Sequence, residues 1–315
     1  TEVNPEFEDI TANFLGGAIR ISSASPNQGG QTYNISGDIS ANFIKNYFAD
    51  DLAVQAFPIL QAMSGVARYE GAINFNKGNS ETNLKIDMRD WGSSAPIPVK
   101  KQMGTPLSGQ LNFKTFAKNK LNTSRFSWNG KIGDIYYIQG EMAGDDTLRH
   151  AVGIGTPAIP PQQGFQLNLA SNELNLDNWL EFLGNHQRKH SALNPNANTN
   201  ATNNIQISAQ VKQLTLFDRM WQDLNLAASN KNAVWQIRLR GSPQIAGNIQ
   251  YQSETNGLIS GRLVRLKIPD ALVSPATPAK VAQKPQTSKS PIEPSSIPSI
   301  DLIIDDLDWN KAQLG

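Results

Sequence analysis

Apolar and polar residues alternate along much of this chain. The clearest run is Trp235-Gln236-Ile237-Arg238-Leu239-Arg240. Successive side chains of a strand point to opposite faces of a sheet, so this run predicts a strand with one apolar and one polar face. The alternation recurs from about residue 14 to the C-terminus, at the regular spacing of an antiparallel meander. We therefore expect an all-β fold with a long apolar face, and what covers that face is the functional question.

Two segments depart from this rhythm and have the spacing of helices. Residues 43–64 predict a helical insertion made of one helix and a shorter second one, with Pro58 as the break between them. Residues 176–186 predict a short helix with Asp177 as its N-cap. An Asn-rich polar loop follows at residues 190–204. The fold class is therefore all-β with a minor α component.

Changes in composition and turn signals suggest how the chain is divided. Residues 1–270 are expected to form one β-segment, and residues 271–298 shift to Pro, Ser and Lys, as in a disordered loop. Residues 299–315 return to a strand pattern, so this loop should interrupt a sheet. Hairpin turns are expected at residues 78–79 and 129–130. Both ends have the appearance of cuts, and we expect a fragment of a longer protein, with any membrane anchor outside it.

The charge balance and the absence of cysteine exclude several classes of function. Lys and Arg number 28 against 27 Asp and Glu, a net charge of +1, and no basic stripe is present. Binding to nucleic acid or to an anionic membrane surface is therefore not expected. The chain has no cysteine, which excludes disulfides, thiolate metal sites and a Cys nucleophile. No apolar run is long enough for a transmembrane helix.

Few residues resemble a reaction centre. His186 and His190 could share a helical face and hold a metal, but no third ligand is obvious, and solvated histidines are the favoured interpretation. Asp305, Asp306 and Asp308 lack the glycine turn of a calcium loop. No nucleophile elbow or phosphate loop occurs. We therefore predict no enzyme activity, no catalytic residue, no metal site and no cofactor.

Several short motifs resemble, in the same order, those of the YhdP-like branch of the AsmA-like superfamily. The first is a strand followed by an Asp turn, a Gly, a Pro-x-Pro element and a Lys, with Trp91 where that branch more often has an aliphatic residue. Asp90, Gly92, Pro96, Pro98 and Lys100 occupy these positions. Further similar segments lie at residues 174–179, 235–249, 263–269 and 297–315. The resemblance covers most of the chain.

The resemblance implies a long, bent antiparallel sheet in the periplasm, anchored at the inner membrane outside this segment. Members of the branch are thought to let phospholipid acyl chains slide along an apolar groove between the inner and outer membranes, and they are not enzymes. Expected partners are therefore phospholipid, the inner membrane through that anchor, and outer-membrane components. Alternation itself is compatible with such a groove, because an apolar face solvates acyl chains at about 0.8 kcal/mol per buried methylene.

The residues expected to line the groove are the inward positions of the C-terminal strands and of the final strand. They are Ile205, Ile207, Val211, Trp235, Ile237, Leu239, Ile245, Ile249, Tyr251, Val264, Leu266, Ile300, Leu302 and Ile304. Two alternatives stay open at this point. The same positions could form the closed core of a β-sandwich binding or adhesin module, because alternation does not distinguish a core from a groove. A carbohydrate-active enzyme is the second, although no carboxylate pair can be singled out.

Overall fold

The chain is mostly β and divides into two compact units. The computed structural model describes residues 9–24, 30–47, 58–117, 125–142, 147–191, 204–231, 233–252, 257–272, 299–309 and 312–314. Unit 1 comprises Thr1–Ala170 with Asn178–Ala201, and unit 2 comprises Ser171–Asp177 with Thr202–Gly315. The sequence predicts one β-segment over residues 1–270. The alternation of apolar and polar residues carries no signal for the division into two units.

Unit 1 is built on one sheet in which most strands pair with their sequence neighbours. Its strand order is β1-β2-β3-β4-β5-β7-β8-β9-β10-β11, and the short β6 pairs with the start of β4. The strands are β1 (Ile10–Phe14), β2 (Gly17–Ser23), β3 (Gln31–Ser40), β4 (Met63–Asn76), β5 (Asn79–Asp87), β6 (Trp91–Ser93), β7 (Ser108–Phe116), β8 (Arg125–Ile132), β9 (Tyr136–Met142), β10 (Leu148–Ile154) and β11 (Gly164–Asn175).

Unit 2 is an antiparallel meander, and the last described strands of the chain extend it at one edge. The order is β12-β13-β14-β15-β16, with β17 and β18 both beside β16 and with β19 beside β18. The strands are β12 (Ile205–Leu216), β13 (Arg219–Lys231), β14 (Val234–Arg240), β15 (Ile245–Gln252), β16 (Leu258–Lys267), β17 (Ser299–Ile304), β18 (Leu307–Trp309) and β19 (Ala312–Leu314).

The sheets are mixed, whereas the sequence predicts antiparallel pairing throughout. β10 and β11 run parallel, and so do β16 and both β17 and β18. Parallel neighbours need a long crossover connection. In unit 2 the chain between Lys267 and Ser299 provides it. The predicted disordered loop is residues 271–298, of which 273–298 lie outside the described residues. The chain after this loop thus rejoins the sheet, and its strands β17 and β18 run parallel to β16.

The predicted turn at Asn129-Gly130 is wrong. Both residues lie inside β8, and β8 turns into β9 after Ile132. Gly130 is required in the strand because the side chain of Leu111 on β7 lies where a Cβ atom would stand. The Asn-Gly pair therefore marks a close side-chain approach and not a hairpin. Between β4 and β5 the turn is formed by Lys77 and Gly78, both with positive φ, as a tight hairpin requires.

Three helices are described. The predicted insertion at residues 43–64 contains α1 (Ala41–Tyr47) and α2 (Pro58–Gln61); residues 48–57 lie outside the described residues, and Met63 already belongs to β4. α3 (Leu176–Ser191) begins at the predicted position and extends five residues further, whereas residues 192–203 of the Asn-rich loop are not described. Within the described residues, no helix has both the length and the apolar character needed to cross a membrane.

Asp177 has a different role from the predicted N-cap of α3. Its two carboxylate oxygens accept hydrogen bonds from the backbone N–H groups of Phe217 (2.8 Å) and Asp218 (2.9 Å). Both turn residues have positive φ, near 56° and 54°, and they connect β12 to β13. A non-glycine pair in this conformation is unfavourable, so the carboxylate that satisfies both N–H groups stabilises this hairpin.

The main hydrophobic cluster belongs to unit 1. Ile19, Ile35, Tyr69 and Ile86 project from four strands and meet Ala41 of α1. Trp91 of β6 completes the cluster and is 6% exposed. Gly37 leaves room for the Tyr69 ring, whose hydroxyl would lie 2.6 Å from a Cβ at that position. α1, α2 and β6 therefore cover one end of the sheet in unit 1.

Candidate functional site

The register of unit 2 places its apolar residues on one face. Trp235 lies opposite Tyr251, Tyr251 opposite Ile259, and Ile259 opposite Ile300. Residues directly opposite each other share a face, so this set forms a row across four strands. A second row runs parallel to it through Ile207, Ala228, Ile237, Ile249, Gly261 and Leu302. We call this surface the apolar face of unit 2.

The reverse side of the same strands is polar. Gln236, Arg238 and Arg240 are exposed and alternate with the apolar residues of β14. The guanidinium of Arg262 binds the Asp305 carboxylate, with an Nη2–Oδ1 distance of 2.8 Å. These side chains remain in water, and exposed ion pairs of this kind contribute little to stability. The sheet of unit 2 is therefore amphipathic along its described length.

No second sheet covers the apolar face of unit 2 within the described residues. Every described strand of this unit after β11 belongs to the single series of pairings from β12 to β19. Trp235 and Ile237 are only half-buried, and Ile300 is 64% exposed. The core of a sandwich would enclose such side chains between two packed layers. The burial is therefore that of a single-layer sheet with an accessible apolar side.

The structure places the predicted groove residues on this face, with one exception. The residues on the apolar face are Ile205, Ile207, Val211, Trp235, Ile237, Leu239, Ile245, Ile249, Tyr251, Leu266, Ile300, Leu302 and Ile304. Burial is deepest toward one side of the face, at Leu263, Val211 and Leu239, and decreases toward Ile300. The face therefore has a sheltered side and an open side.

Val264 is the exception, and its assignment to the groove is corrected here. The register slips on β16, where Gly247 pairs with Leu263 but Ala246 pairs with Arg265. Val264 is the additional residue of this bulge and is 58% exposed, whereas Leu263 is 2% exposed on the apolar face. A bulge breaks the two-residue period. Strict alternation counted back from Leu266 therefore predicts Val264 as a groove residue in place of Leu263.

A second backbone irregularity brings further residues onto the same face, at positions that strict alternation does not predict. Val211 pairs with Leu224, and Leu214 pairs with Trp221, and all four are buried. Each strand steps by three residues between its two buried positions, and Asp223 within that step has a positive φ of 48°. An alternation of period two cannot connect such positions. The apolar spacing of three in both strands was the signal that could have identified Leu214, Leu224 and Trp221.

The sheet of unit 1 also has an apolar face, and its end beyond the covered cluster carries aromatic rings. Phe126 stacks with Phe113 at 6.1 Å and with Trp128 at 5.5 Å between ring centroids. Tyr33 and Phe75 meet edge to face at 6.0 Å. The alternation predicts groove residues only from Ile205 onward, so none of these rings is among them. This aromatic end is half-buried to exposed, in contrast to the cluster covered by α1 and Trp91.

His150 also lies on the apolar face of unit 1. It lies opposite Phe165 in the sheet, and the ring centroids are 4.9 Å apart. Its Nδ1 has no hydrogen-bond partner among the described residues. Burial lowers the pKa of His150, which favours the neutral imidazole. The side chain is therefore accommodated as part of an apolar surface.

Among the described residues, the other candidate side chains do not converge on a common site. Asp305 and Asp306 pair with Arg262 and Arg265 on the surface, so they do not converge on a cation. The side chains of His186 and His190 lie outside the described part of α3. Among the described residues, no group of three potential metal-ligating side chains occurs.

An open cavity lies on the polar face of unit 1. Its volume is about 1150 Å³, and it is lined by strands β2 to β5 and β7 to β9. Asn34, Asn83, Asn112 and Gln139 contribute to its lining. By register these residues lie on the side opposite Ile35 and the apolar cluster. This cavity is therefore separate from the apolar surfaces described above.

Comparison with known proteins identifies the family of this chain. Neither the curated proteins nor the solved structures include a match to this chain. The family model described as "YhdP protein" matches residues 1–315. Because this match covers the whole chain, the chain belongs to the YhdP family.

Proposed function

We propose that this chain is part of a lipid-transfer protein of the bacterial envelope, whose apolar face carries phospholipid acyl chains between the inner and outer membranes. The observation that carries the proposal is the apolar face of unit 2, which crosses the strands and has no second sheet over it among the strands that the structure describes. Membership of the YhdP family supports a location in the envelope. The proposed location is the periplasm, with an inner-membrane anchor outside this segment and outer-membrane components as further partners.

The rows of the apolar face suggest how a lipid tail would move. Neighbouring strands are about 4.8 Å apart, so the five steps from β12 to β17 extend over roughly 24 Å. An acyl chain that shifts by one strand meets a similar apolar surface, because the first row contains Trp235 and Tyr251 with two isoleucines and the second row contains mainly aliphatic residues. Burial stabilises the tail by about 0.8 kcal/mol per methylene at every step. Such a track binds tails without a deep minimum, and it requires no catalytic residue.

Site-specific photo-crosslinking in cells tests the proposal. A photoreactive residue replaces Trp235 or Ile249 in the full-length protein, and the matched controls carry it at Gln236 or Arg238 on the polar face. We expect phospholipid adducts at the first pair and none above background at the second. Equal labelling of both pairs would overturn the proposal.

Native mass spectrometry of the purified chain separates this function from a closed binding module. Phospholipid that co-purifies with the chain, together with crosslinks at Trp235 and Ile249, supports transfer along the face. A protein that carries no lipid after extraction from membranes, and that labels at neither pair, would favour the adhesin-like alternative.

A further inference from the structure

The apolar face of unit 1 becomes more exposed along its strands, away from the end that α1, α2 and β6 cover. On β4, Tyr69 is 3% exposed, whereas Phe75, further along the same face, is 45% exposed. On β7, Gly109 is buried, Leu111 is half-buried and Thr115 is exposed. Residues two apart in a strand share a face, so this gradient belongs to one surface. It runs from a covered end to the aromatic end.

The covered end is closed by a loop, residues 94–100, which we call the strap. Where the strap begins, the backbone N–H of Ser94 donates to the carbonyl oxygen of Ala62, next to α2, at 3.0 Å. Near its other end, the carbonyl oxygen of Pro98 accepts a hydrogen bond from the hydroxyl of Tyr136 at 2.7 Å. Tyr136 projects from the apolar face of β9. The strap therefore runs from α2 to β9 at the covered end.

Two further side chains hold the strap and its base. The indole N–H of Trp179, in α3, donates to the Ile97 carbonyl oxygen at 2.9 Å. The ammonium group of Lys101 donates to the carbonyl oxygen of Trp91 in β6 at 2.7 Å. Ala95 within the strap is fully buried. Because several elements hold this loop, the described residues leave no opening for a bulky polar group at the covered end.

The side-chain chemistry of the face changes in the same direction as its exposure. The row that adjoins the covered end, which we call the aliphatic row, carries Ile35, Leu84, Leu111, Ile138, Val152 and Leu167, with glycines at its other positions from β3 to β11. The next row toward the aromatic end is rich in rings, namely Tyr33, Phe113, Trp128, His150 and Phe165. Burial lowers the pKa of His150 and favours its neutral form. Neither row therefore carries a charge near neutral pH.

The outermost row brings polar groups beside the rings. Ser80 and Thr115 lie opposite each other on the apolar face, and Phe75 and Phe126 flank them. Beyond this row, the turn between β4 and β5 carries Lys77, which forms no ion pair among the described residues. Hydroxyl and ammonium groups donate to phosphate oxygens. The open edge of the face thus offers donors that a phospholipid headgroup can use.

We propose that a phospholipid on the apolar face of unit 1 lies in one orientation, with its tails on the aliphatic row and its headgroup at the aromatic end. This orientation presupposes the proposed lipid transfer. Aromatic side chains favour the boundary between hydrocarbon and water, where the ring meets the tails and a polar tip meets the headgroups. Tails are stabilised by burial against the aliphatic row, whereas a buried headgroup would lose its hydration.

The depth of the open part of the face suits the tails of one leaflet. Phe75 lies four residues beyond Gly71 of the aliphatic row, which is roughly 14 Å at 3.4 Å per residue. The hydrocarbon core of a bilayer is about 30 Å thick, so the tails of one leaflet extend about 15 Å. A tail that enters at the aromatic end therefore reaches the aliphatic row while its headgroup stays at the edge. The lipid can shift from strand to strand in this orientation without burying its headgroup.

Two photoreactive phospholipids test this orientation. Both are phosphatidylethanolamines, one with a diazirine in the headgroup and one with a diazirine at the end of an acyl chain. Each is irradiated with the purified full-length protein, and the adducts are located by tandem mass spectrometry. We expect headgroup adducts near Thr115 and Phe126 and tail adducts near Leu84 and Leu111, with each preference at least about tenfold.

A matched pair of charges on β7 gives a second test. Thr115→Lys places an ammonium group at the headgroup end, and Leu111→Lys places one on the aliphatic row of the same strand and face. We expect the tail adducts in unit 1 to stay at the wild-type level in Thr115→Lys and to fall at least about tenfold in Leu111→Lys. Urea unfolding midpoints of both variants are compared with that of the wild type, and the adduct map of the wild type does not depend on either variant.

Headgroup adducts near Pro98 of the strap, or in equal amounts at both ends, would overturn the orientation. Absence of both labels from unit 1 would also overturn it, and so would an equal loss in the two charge variants. Tail adducts at Trp235 and Ile249 in any of these cases would leave the proposed lipid transfer standing. Loss of the adducts at those two positions as well would end the proposed function itself.

Discussion

The apolar faces of the two units have the same alternation but different cover. In unit 1, α1 and Trp91 pack on the strands and bury Ile35 and Tyr69. In unit 2, no described sheet lies over Trp235 or Ile237, and both remain half-buried. The period of a strand specifies which side chains share a face, but it does not specify what meets that face. The covered face stabilises its unit. In unit 2 the part of the face around Trp235 and Ile237 is accessible, whereas Leu239 and Leu263 on the same face are buried.

Two tryptophans provide the sharpest test of this difference in cover. Trp91→Ala should destabilise the protein by about 3–5 kcal/mol, because it removes an almost fully buried ring from the cluster. Trp235→Ala should cost about 1 kcal/mol, since its ring is already partly in water. Urea unfolding followed by circular dichroism gives both values, provided that the slope with denaturant is unchanged. Similar losses for both variants would show that Trp235 is covered as completely as Trp91.

The bulge on β16 gives a comparison between adjacent residues. Leu263→Ala should cost about 2–4 kcal/mol, because its side chain is buried on the apolar face of unit 2. Val264→Ala, at the additional bulge residue, should change stability by less than about 0.5 kcal/mol. The same urea measurement applies. A larger effect at Val264 than at Leu263 would contradict the register of β16.

A charge on the uncovered face should affect lipid more than stability. Ile237→Lys introduces an ammonium group in the second apolar row, where an acyl chain would have to desolvate it. We expect at least about a tenfold decrease in co-purified phospholipid, equivalent to about 1.4 kcal/mol. Gln236→Lys on the polar face is the control and should retain the wild-type amount. Mass spectrometry of extracted lipid compares the two, and an equal decrease would mean that lipid does not use the apolar face.

The sequence predicts the faces of the sheets well wherever the period of two is unbroken. Trp235, Ile237 and Leu239 are placed correctly relative to one another for this reason. The pattern fails where backbone geometry changes the period, at the Val264 bulge and at the three-residue step between Trp221 and Leu224. These features depend on pairing with a neighbouring strand, which a single strand does not encode.

Two other features could not be predicted from the sequence, because they depend on contacts between residues that are distant along the chain. The Asn129-Gly130 pair predicts a turn, but Gly130 lies within β8, where its missing side chain leaves room for Leu111 of the neighbouring strand β7. On the polar face of unit 1, Asn34, Asn83, Asn112 and Asn129 come from strands far apart along the chain, and only the register brings them together. Alternation identifies them as outward-facing, which is also true of every ordinary surface residue.

The smallest expected effect concerns His150 and the acid sensitivity of unit 1. Burial lowers its pKa in the folded protein, whereas the unfolded side chain titrates near 6.5. The unfolded state therefore binds the proton first as the pH falls. Stability is complete above about pH 6.5 and decreases as the pH falls from there toward the folded pKa. The nearby charges, Arg149 and Glu141, pair with each other and lie on the opposite face.

Two variants isolate the contribution of this imidazole. His150→Phe removes the titration and keeps an apolar ring against Phe165, and His150→Gln removes the titration but keeps a polar side chain. We expect the free energy of unfolding of both variants to fall less between pH 7 and pH 5 than that of the wild type. Carboxylates that titrate in this range contribute equally to all three proteins, so the difference reports His150. Identical pH profiles for the three would mean that the folded protein leaves this imidazole as free to take up a proton as the unfolded chain does.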